Sequence, residues 1–267
     1  MGLVTIDHTT CAKDGLCGDV CPVGLFDTNT EGFPVFRAGG EQICFDCGHC
    51  VAICPSSALQ HERLPLAQSS AIDRTLKVSL PALDQLMESR RSVREFKTEP
   101  LPQALIHQTI EVARWAPTAV NRQPLSWLVI QNPAEVQRLA GLVVDALRQD
   151  ADLPPRYAAF VQMWDQGMDP VLRKAPHLVV VHGPDDWAWC AEDGAIALSQ
   201  FELAAAARGM GTCWAGFLMH IAKVYPPLQA ALGLPEGHSV CGALMLGMPK
   251  YRYQRIPPRN PAKVEWR

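Results

Sequence analysis

Two matching ladders of metal-binding side chains lie near the N-terminus. Cys11, Asp14, Cys17 and Cys21 lead into Pro22; Cys44, Cys47, Cys50 and Cys54 lead into Pro55, and each of the four positions recurs 33 residues later. Thiolates in x-x steps on short, turn-rich segments can wrap one cube of iron and sulfide, while the fourth sulfur reaches outward. Such a cage stores and moves single electrons. Paired C-x-x-C units also make four-thiolate zinc sites, but three steps followed by Cys-Pro, twice in register, are not a zinc-finger spacing.

In a two-cluster arrangement the fourth cysteine of each ladder belongs to the other cube. One set is then Cys44, Cys47, Cys50 and Cys21, the ligands of a 4Fe-4S cluster. The other is Cys11, Cys17 and Cys54 with Asp14 at the last corner, where a hard carboxylate replaces a soft thiolate. Three outcomes are open there: Asp14 binds iron, water holds the corner iron, or that iron is missing and the cluster is 3Fe-4S. The expectation is a 4Fe-4S cluster ligated by Asp14.

Three shorter signals follow. Arg90, Arg91, Ser92 and Arg94 combine forked guanidinium donors with a hydroxyl, which suits a phosphate; a solvated cationic helix end explains the same run. Pro117, Thr118, Asn121 and Gln123 place amides in a loop stiffened by Pro117 and Pro124, able to meet a polar cofactor edge or simply to turn the chain. Glu192, Asp193 and Gly194 lead through a small-residue helix to Gly209–Phe217, where glycines would let backbone approach a flat ligand; a buried helix and tight turn is the alternative.

These segments need elements to hold them. Pro81 opens a helical pattern with Leu83, Leu86 and Met87 on one face, and Pro102 opens another with Ile106, Ile110 and Ala113. Strands are expected over Trp127–Gln131, Leu178–Val181 and Val240–Leu246, with a long helix from Ala191 to Arg208 capped by Gly209. Helices around a few apolar strands, without regular alternation, indicate an α+β class. The organisation expected is a cysteine-rich domain over 1–62, a linker over 63–80 and a main domain over 81–267.

Composition narrows the partners. The chain has 267 residues, 48% of them apolar, enough for a large core, and a net charge of −3 that removes the electrostatic argument for nucleic acid or an anionic membrane. The longest apolar stretch, Ala195–Ala207, is interrupted by Gln200 and Glu202 and too short to span a bilayer. The N-terminus shows no secretory pattern, so a cytoplasmic protein is expected, with its ten cysteines serving metal rather than disulfides. Cys190, Cys213 and Cys241 read as buried core thiols. No histidine pair has metal-binding spacing, His49 reads as a residue that tunes a cluster, and no catalytic residue is assigned.

From Leu3 to the end of the second ladder the chain resembles bacterial two-cluster ferredoxins, one ligand short in the first ladder. From Leu80 onward, the three signals taken in order resemble the nitroreductase family of FMN flavoproteins. That resemblance implies a ferredoxin-like domain joined to a nitroreductase-like α+β domain. It implies that Arg90, Ser92 and Arg94, with Arg91 adjacent, hold the FMN phosphate, and that Arg259 or, less well matched, Lys250 also reaches it. It implies that Pro117, Thr118, Asn121 and Gln123 approach the flavin, commonly from a partner subunit, and that backbone amides near Trp214, Ala215 and Gly216 face its N5 edge. Thr118 and Ala119 stand where serine or glycine is common in the family. Tyr157, Phe160, Met163 and Trp164 lie where the family covers its substrate face, or form a core stripe.

The implied function is a homodimeric oxidoreductase taking electrons from ferredoxin or NAD(P)H through two clusters to FMN, and on to a nitroaromatic, quinone or related electrophile. No G-x-G-x-x-G opens a strand-helix turn, so a nicotinamide would bind only over the flavin. Alternatives on the same fold are reductive dehalogenation, flavin fragmentation, or electron transfer and redox sensing without small-molecule turnover.

Overall fold

The computed structural model describes residues 2–267, which divide into two compact units. The first comprises residues up to Lys77 together with Val120–Arg122. In it β1 (Val4–Ile6) pairs antiparallel with β4 (Leu59–His61), and β2 (Phe26–Thr28) pairs antiparallel with β3 (Pro34–Phe36). Two single-turn helices, α1 (Leu16–Asp19) and α2 (His49–Ile53), start after Gly15 and Gly48. Leu3, Val4, Cys17, Val51 and Leu59 form a small core. This is a small core for a separate compact unit.

The second unit holds α3 (Leu80–Ser89), α4 (Gln103–Ala113), β5 (Ser126–Ile130), α5 (Pro133–Gln149), α6 (Pro155–Asp165), β6 (His177–Pro184), α7 (Cys190–Ala207), β7 (Gly211–Trp214), α8 (Gly216–Ile221), α9 (Pro226–Leu232) and β8 (His238–Gly247). Its strands form one antiparallel sheet in the order β5-β6-β8-β7. Helices cover both faces. Leu178, Val180, Ala243 and Met245 pack into one core with α5, α8 and α9, while Val179, Val181, Leu244 and Leu246 pack into the other with α4 and α7. Burial on both sides explains why β6 and β8 read as continuous apolar runs instead of alternating. This unit is α+β, as expected.

Local signals account for the helix ends. Ser79 caps α3, Asn132 caps α5, and a proline follows each cap near the first turn. Helix α7 stops at Gly209, whose positive φ of 77° allows Met210 N–H to reach back to Ala205 O. Several elements lie outside the sequence expectation, two of them in the main sheet and its cover. Helix α5 carries Val136, Leu139, Ala140, Val143, Val144 and Leu147 on one buried stripe, and β7 is a short edge strand where an approach loop was expected.

Helix α7 lies close against β8. A Cβ added at Gly194 would stand 2.6 Å from the Cβ of Cys241, so only glycine permits this approach. The same proximity corrects the reading of two core thiols: Cys190 and Cys241 are bonded to each other, while Cys213 is a buried free thiol. No described helix is long and apolar enough to cross a membrane.

Gly194→Ala is expected to lower stability by about 1–3 kcal/mol through overpacking. A urea titration checks this, and an unchanged midpoint would contradict the close packing.

Candidate functional site

The ladder residues sort into two internal spaces of the first unit. Cys21, Cys44, Cys47 and Cys50 line one, with Val4, Leu25, Phe26 and Phe36 as apolar walls. Cys11, Asp14, Cys17 and Cys54 line the other. The fourth cysteine of each ladder therefore faces the first three positions of the other. Asp14 is exposed, and its Oδ1 accepts the Leu16 N–H at 3.2 Å.

Burial pushes the Cys17 and Cys44 thiols up and lifts Cys50 to about 11. Cys54 differs: burial raises it, but hydrogen bonds from Ser56 and nearby backbone prevail and lower it. Thiols that resist ionisation when alone are stabilised as thiolates by a cation in their midst, since ligation and deprotonation are coupled. Around Cys44 lies a group the spacing did not reveal. His61 Nε2 sits 3.7 Å from Cys44 Sγ and 3.5 Å from Asp46 Oδ1, and Arg63 grips Asp46 Oδ2 at 2.8 Å. Asp46 Oδ1 and His61 Nδ1 are buried without a hydrogen-bond partner. Burial also holds the His61 pKa below its usual value. Only the pairing of β4 with β1 places His61 here, 17 residues beyond Cys44. His49 is exposed on the rim of the same space.

In the second unit, Arg90, Arg91, Ser92, Arg94 and Arg259 line one cavity of about 680 Å³, with Glu88 as its acidic side chain. Lys250 does not line it; its ammonium stands over Tyr251. Arg94 also lines a neighbouring cavity of about 710 Å³, bounded by Trp214, Gly216, Phe217 and Tyr157. Both volumes are of small-ligand size. Tyr157, Phe160 and Phe217 pack edge to face or tilted, with centroids 5.0 to 6.3 Å apart, forming an aromatic wall. Trp164 packs against the core instead.

Two buried carboxylates hold this arrangement, and neither was singled out as a site residue in the sequence. Glu202, only 6% exposed, accepts from Thr212 Oγ1 and from Trp214 Nε1, each at 2.9 Å, and pairs with Arg90 at 3.4 Å. Asp193 accepts from Trp187 Nε1 at 2.9 Å and from the Ala119 N–H at 3.0 Å, anchoring the loop after α4. Their signal is an acid in or beside an apolar helix: Glu202 interrupts the Ala195–Ala207 run and Asp193 stands just before it, but no local pattern names a partner.

Other expected contacts fall elsewhere. The Ala215 N–H donates to Ala243 O at 2.9 Å, so this buried amide serves the sheet and is not offered to a ligand; Gly216, next along, is exposed and lines the cavity. Pro117, Thr118 and Gln123 lie outside both cavities, Thr118 Oγ1 accepting the Gln123 N–H at 3.0 Å. Asn121 belongs to the first unit, where its amide donates to Phe45 O and Asp46 O at 3.3 and 2.9 Å. Val120, Asn121 and Gln123 all have positive φ, a costly conformation for non-glycine residues and above all for valine.

A model described as Nitroreductase family matches residues 87–248, more than half of the chain. The chain belongs to the nitroreductase family. Among its relatives is a protein of Archaeoglobus fulgidus with the provisional name NADH dehydrogenase/NAD(P)H nitroreductase, 28% identical over 172 residues that cover 62% of this chain and 84% of the relative. Of solved structures, an FMN-bound nitroreductase from Bacteroides fragilis superposes with a TM-score of 0.59 at 22% identity, covering 68% of this chain and 98% of that one, a likeness of fold. A stretch of 62 residues is 34% identical to "Ferredoxin 7Fe" of Hydrogenibacillus schlegelii, covering 23% of this chain and 74% of that protein.

Glu202→Leu removes the shared acceptor of Thr212, Trp214 and Arg90 and is expected to cost about 2–4 kcal/mol, with Glu202→Gln costing less. Thermal unfolding of both variants checks this; equal stability of wild type and Glu202→Leu would show that the buried acid carries no weight.

Proposed function

We propose that this protein is an iron-sulfur flavoprotein oxidoreductase: it takes electrons from reduced ferredoxin or NAD(P)H, passes them through two iron-sulfur clusters to FMN, and delivers them to a nitroaromatic, quinone or similar conjugated electrophile. As a member of the nitroreductase family it is an FMN-dependent oxidoreductase, and the named relatives support both FMN and a nicotinamide donor. The observation that carries the fuller reading is the sorting of eight ladder residues into two separate four-residue sets on a chain that also matches the nitroreductase family.

The residues fit the groups. Four thiolates around an apolar space suit a 4Fe-4S cluster on Cys21, Cys44, Cys47 and Cys50. The Cys11, Asp14, Cys17 and Cys54 set suits a 4Fe-4S or 3Fe-4S cluster, and the seven-iron name of the ferredoxin relative supports the latter. Four guanidiniums and a serine hydroxyl around one cavity suit a phosphate. When bound, the clusters supply one-electron chemistry and FMN adds two-electron chemistry.

The protein's own part is positional. Arg90, held by Glu202, and Arg94 bind the phosphate end with Ser92; Arg91 and Arg259 add charge from the sides of the cavity. Gly216 lets the backbone come close to a flat ring, and Tyr157 and Phe217 exclude water from the face where an acceptor stacks. The Pro117, Thr118 and Gln123 loop is proposed to meet a flavin of a second subunit, so the working form is a homodimer. Tyr251, Tyr253, Ile256, Val264 and Trp266 are large apolar side chains exposed on one chain, which supports such an assembly.

Anaerobically purified protein is expected to hold about seven to eight irons with matching sulfide, and one FMN. Zinc without sulfide would reject the relay. Asp14→Cys is expected to turn a three-iron resonance signal into a four-iron one, and an unaltered spectrum would remove Asp14 from the cluster. Sedimentation is expected to give the dimer mass; a monomer at working concentration would refute the shared site.

A further inference from the structure

The wall of the aromatic cavity that Arg94 lines includes a turn that the phosphate-binding segment does not explain. Asp169, 7% exposed, accepts three backbone N–H groups: Val171 and Leu172 on Oδ1 and Lys174 on Oδ2, each at 2.9 Å. That grip closes a turn in which Arg173 and Lys174 have φ of 59° and 51°. Two successive non-glycine residues in the left-handed region cost of order 1–3 kcal/mol each and persist only where surroundings enforce them. The result is that Arg173, half-buried, lines the cavity with Arg94.

No ion pair among the described residues uses Arg94 or Arg173. Arg94 makes one long contact, to Ser92 O at 3.4 Å. Both guanidiniums act on the same atom: burial raises the Cys213 thiol most, and Arg94 and then Arg173 pull against it, with Glu202 adding to the rise. Two cations on the cavity that Cys213 also lines leave positive charge that its one acid, the exposed Asp150, does not pair with. Apart from His220, the rest of the wall is mainly apolar or aromatic, including Leu153, Phe217, Ile221 and Met245.

We infer that Arg173, braced by Asp169, forms with Arg94 a two-guanidinium anion site, and that the cavity takes a flat conjugated ligand bearing a phosphate or carboxylate at that end. The inference rests on the flavin reading above. The anion has two sources, the phosphate of FMN or an acid group on the electron acceptor, and the same forked donors serve either.

The test is Arg173→Gln in the full chain, with Arg173→Lys as the charge-keeping control and thermal unfolding to confirm folding. In one arm, apoprotein is titrated with FMN and with riboflavin, which lacks the phosphate. In the other, kcat and KM are measured for 4-nitrobenzoate and for 4-nitrobenzamide. Loss of a charge-assisted contact predicts that Arg173→Gln lowers the preference for the anionic member of one pair by about ten- to a hundredfold, with Arg173→Lys restoring most of it. A fall in the FMN-over-riboflavin ratio assigns the anion to the cofactor; a rise in KM for the nitrobenzoate alone assigns it to the acceptor. If wild-type binds FMN and Arg173→Gln leaves both ratios unchanged, the anion site is refuted while the flavin reading stands. If wild-type binds neither flavin, the flavin reading falls and the inference with it.

Discussion

One buried carboxylate holds the second unit's site together. Glu202 comes from the middle of α7, Thr212 and Trp214 from β7, and Arg90 from the end of α3, and all three partners meet on its two oxygens. A charge so deep is tolerated only when it is paired and hydrogen-bonded. Here that requirement fixes the edge strand, the indole beside the Gly216 turn and the first arginine of the cationic segment as a single object. The two cavities that adjoin at Arg94 inherit their shape from it.

Much of this was legible in the sequence because cysteine spacing and an arginine-serine-arginine run are local patterns. The ladder partition needed only the rule that a fourth sulfur reaches across, and the folded chain groups the same residues. What escaped reading depends on partners distant in sequence. His61 reaches Cys44 by strand pairing, Asp193 and Glu202 meet loops and strands far from helix α7, and Arg173 points inward because of a turn braced by Asp169. No local pattern marks those pairings.

The misplaced contacts have the same origin. The family resemblance implied that the Ala215 amide faces a ligand, yet β7 extends the sheet and claims it for Ala243. Cys190 and Cys241 look like isolated thiols 51 residues apart, and become neighbours only because Gly194 lets α7 press against β8. Asn121 sits in a loop of ordinary appearance, but its amide is engaged by carbonyls within the second ladder.

Strands β6 and β8 contribute Val179, Val180, Leu244 and Leu246 to two packed interiors, whereas the walls of the aromatic cavity are drawn mainly from α6, α8 and the turns beside them. Ile221 and Met245 belong to both the core and the cavity wall, whereas Tyr157 serves the wall alone. Exchanging Tyr157 would reshape the cavity while the slab beneath stays intact, so this part of the wall is free to drift over evolutionary time at little risk to folding.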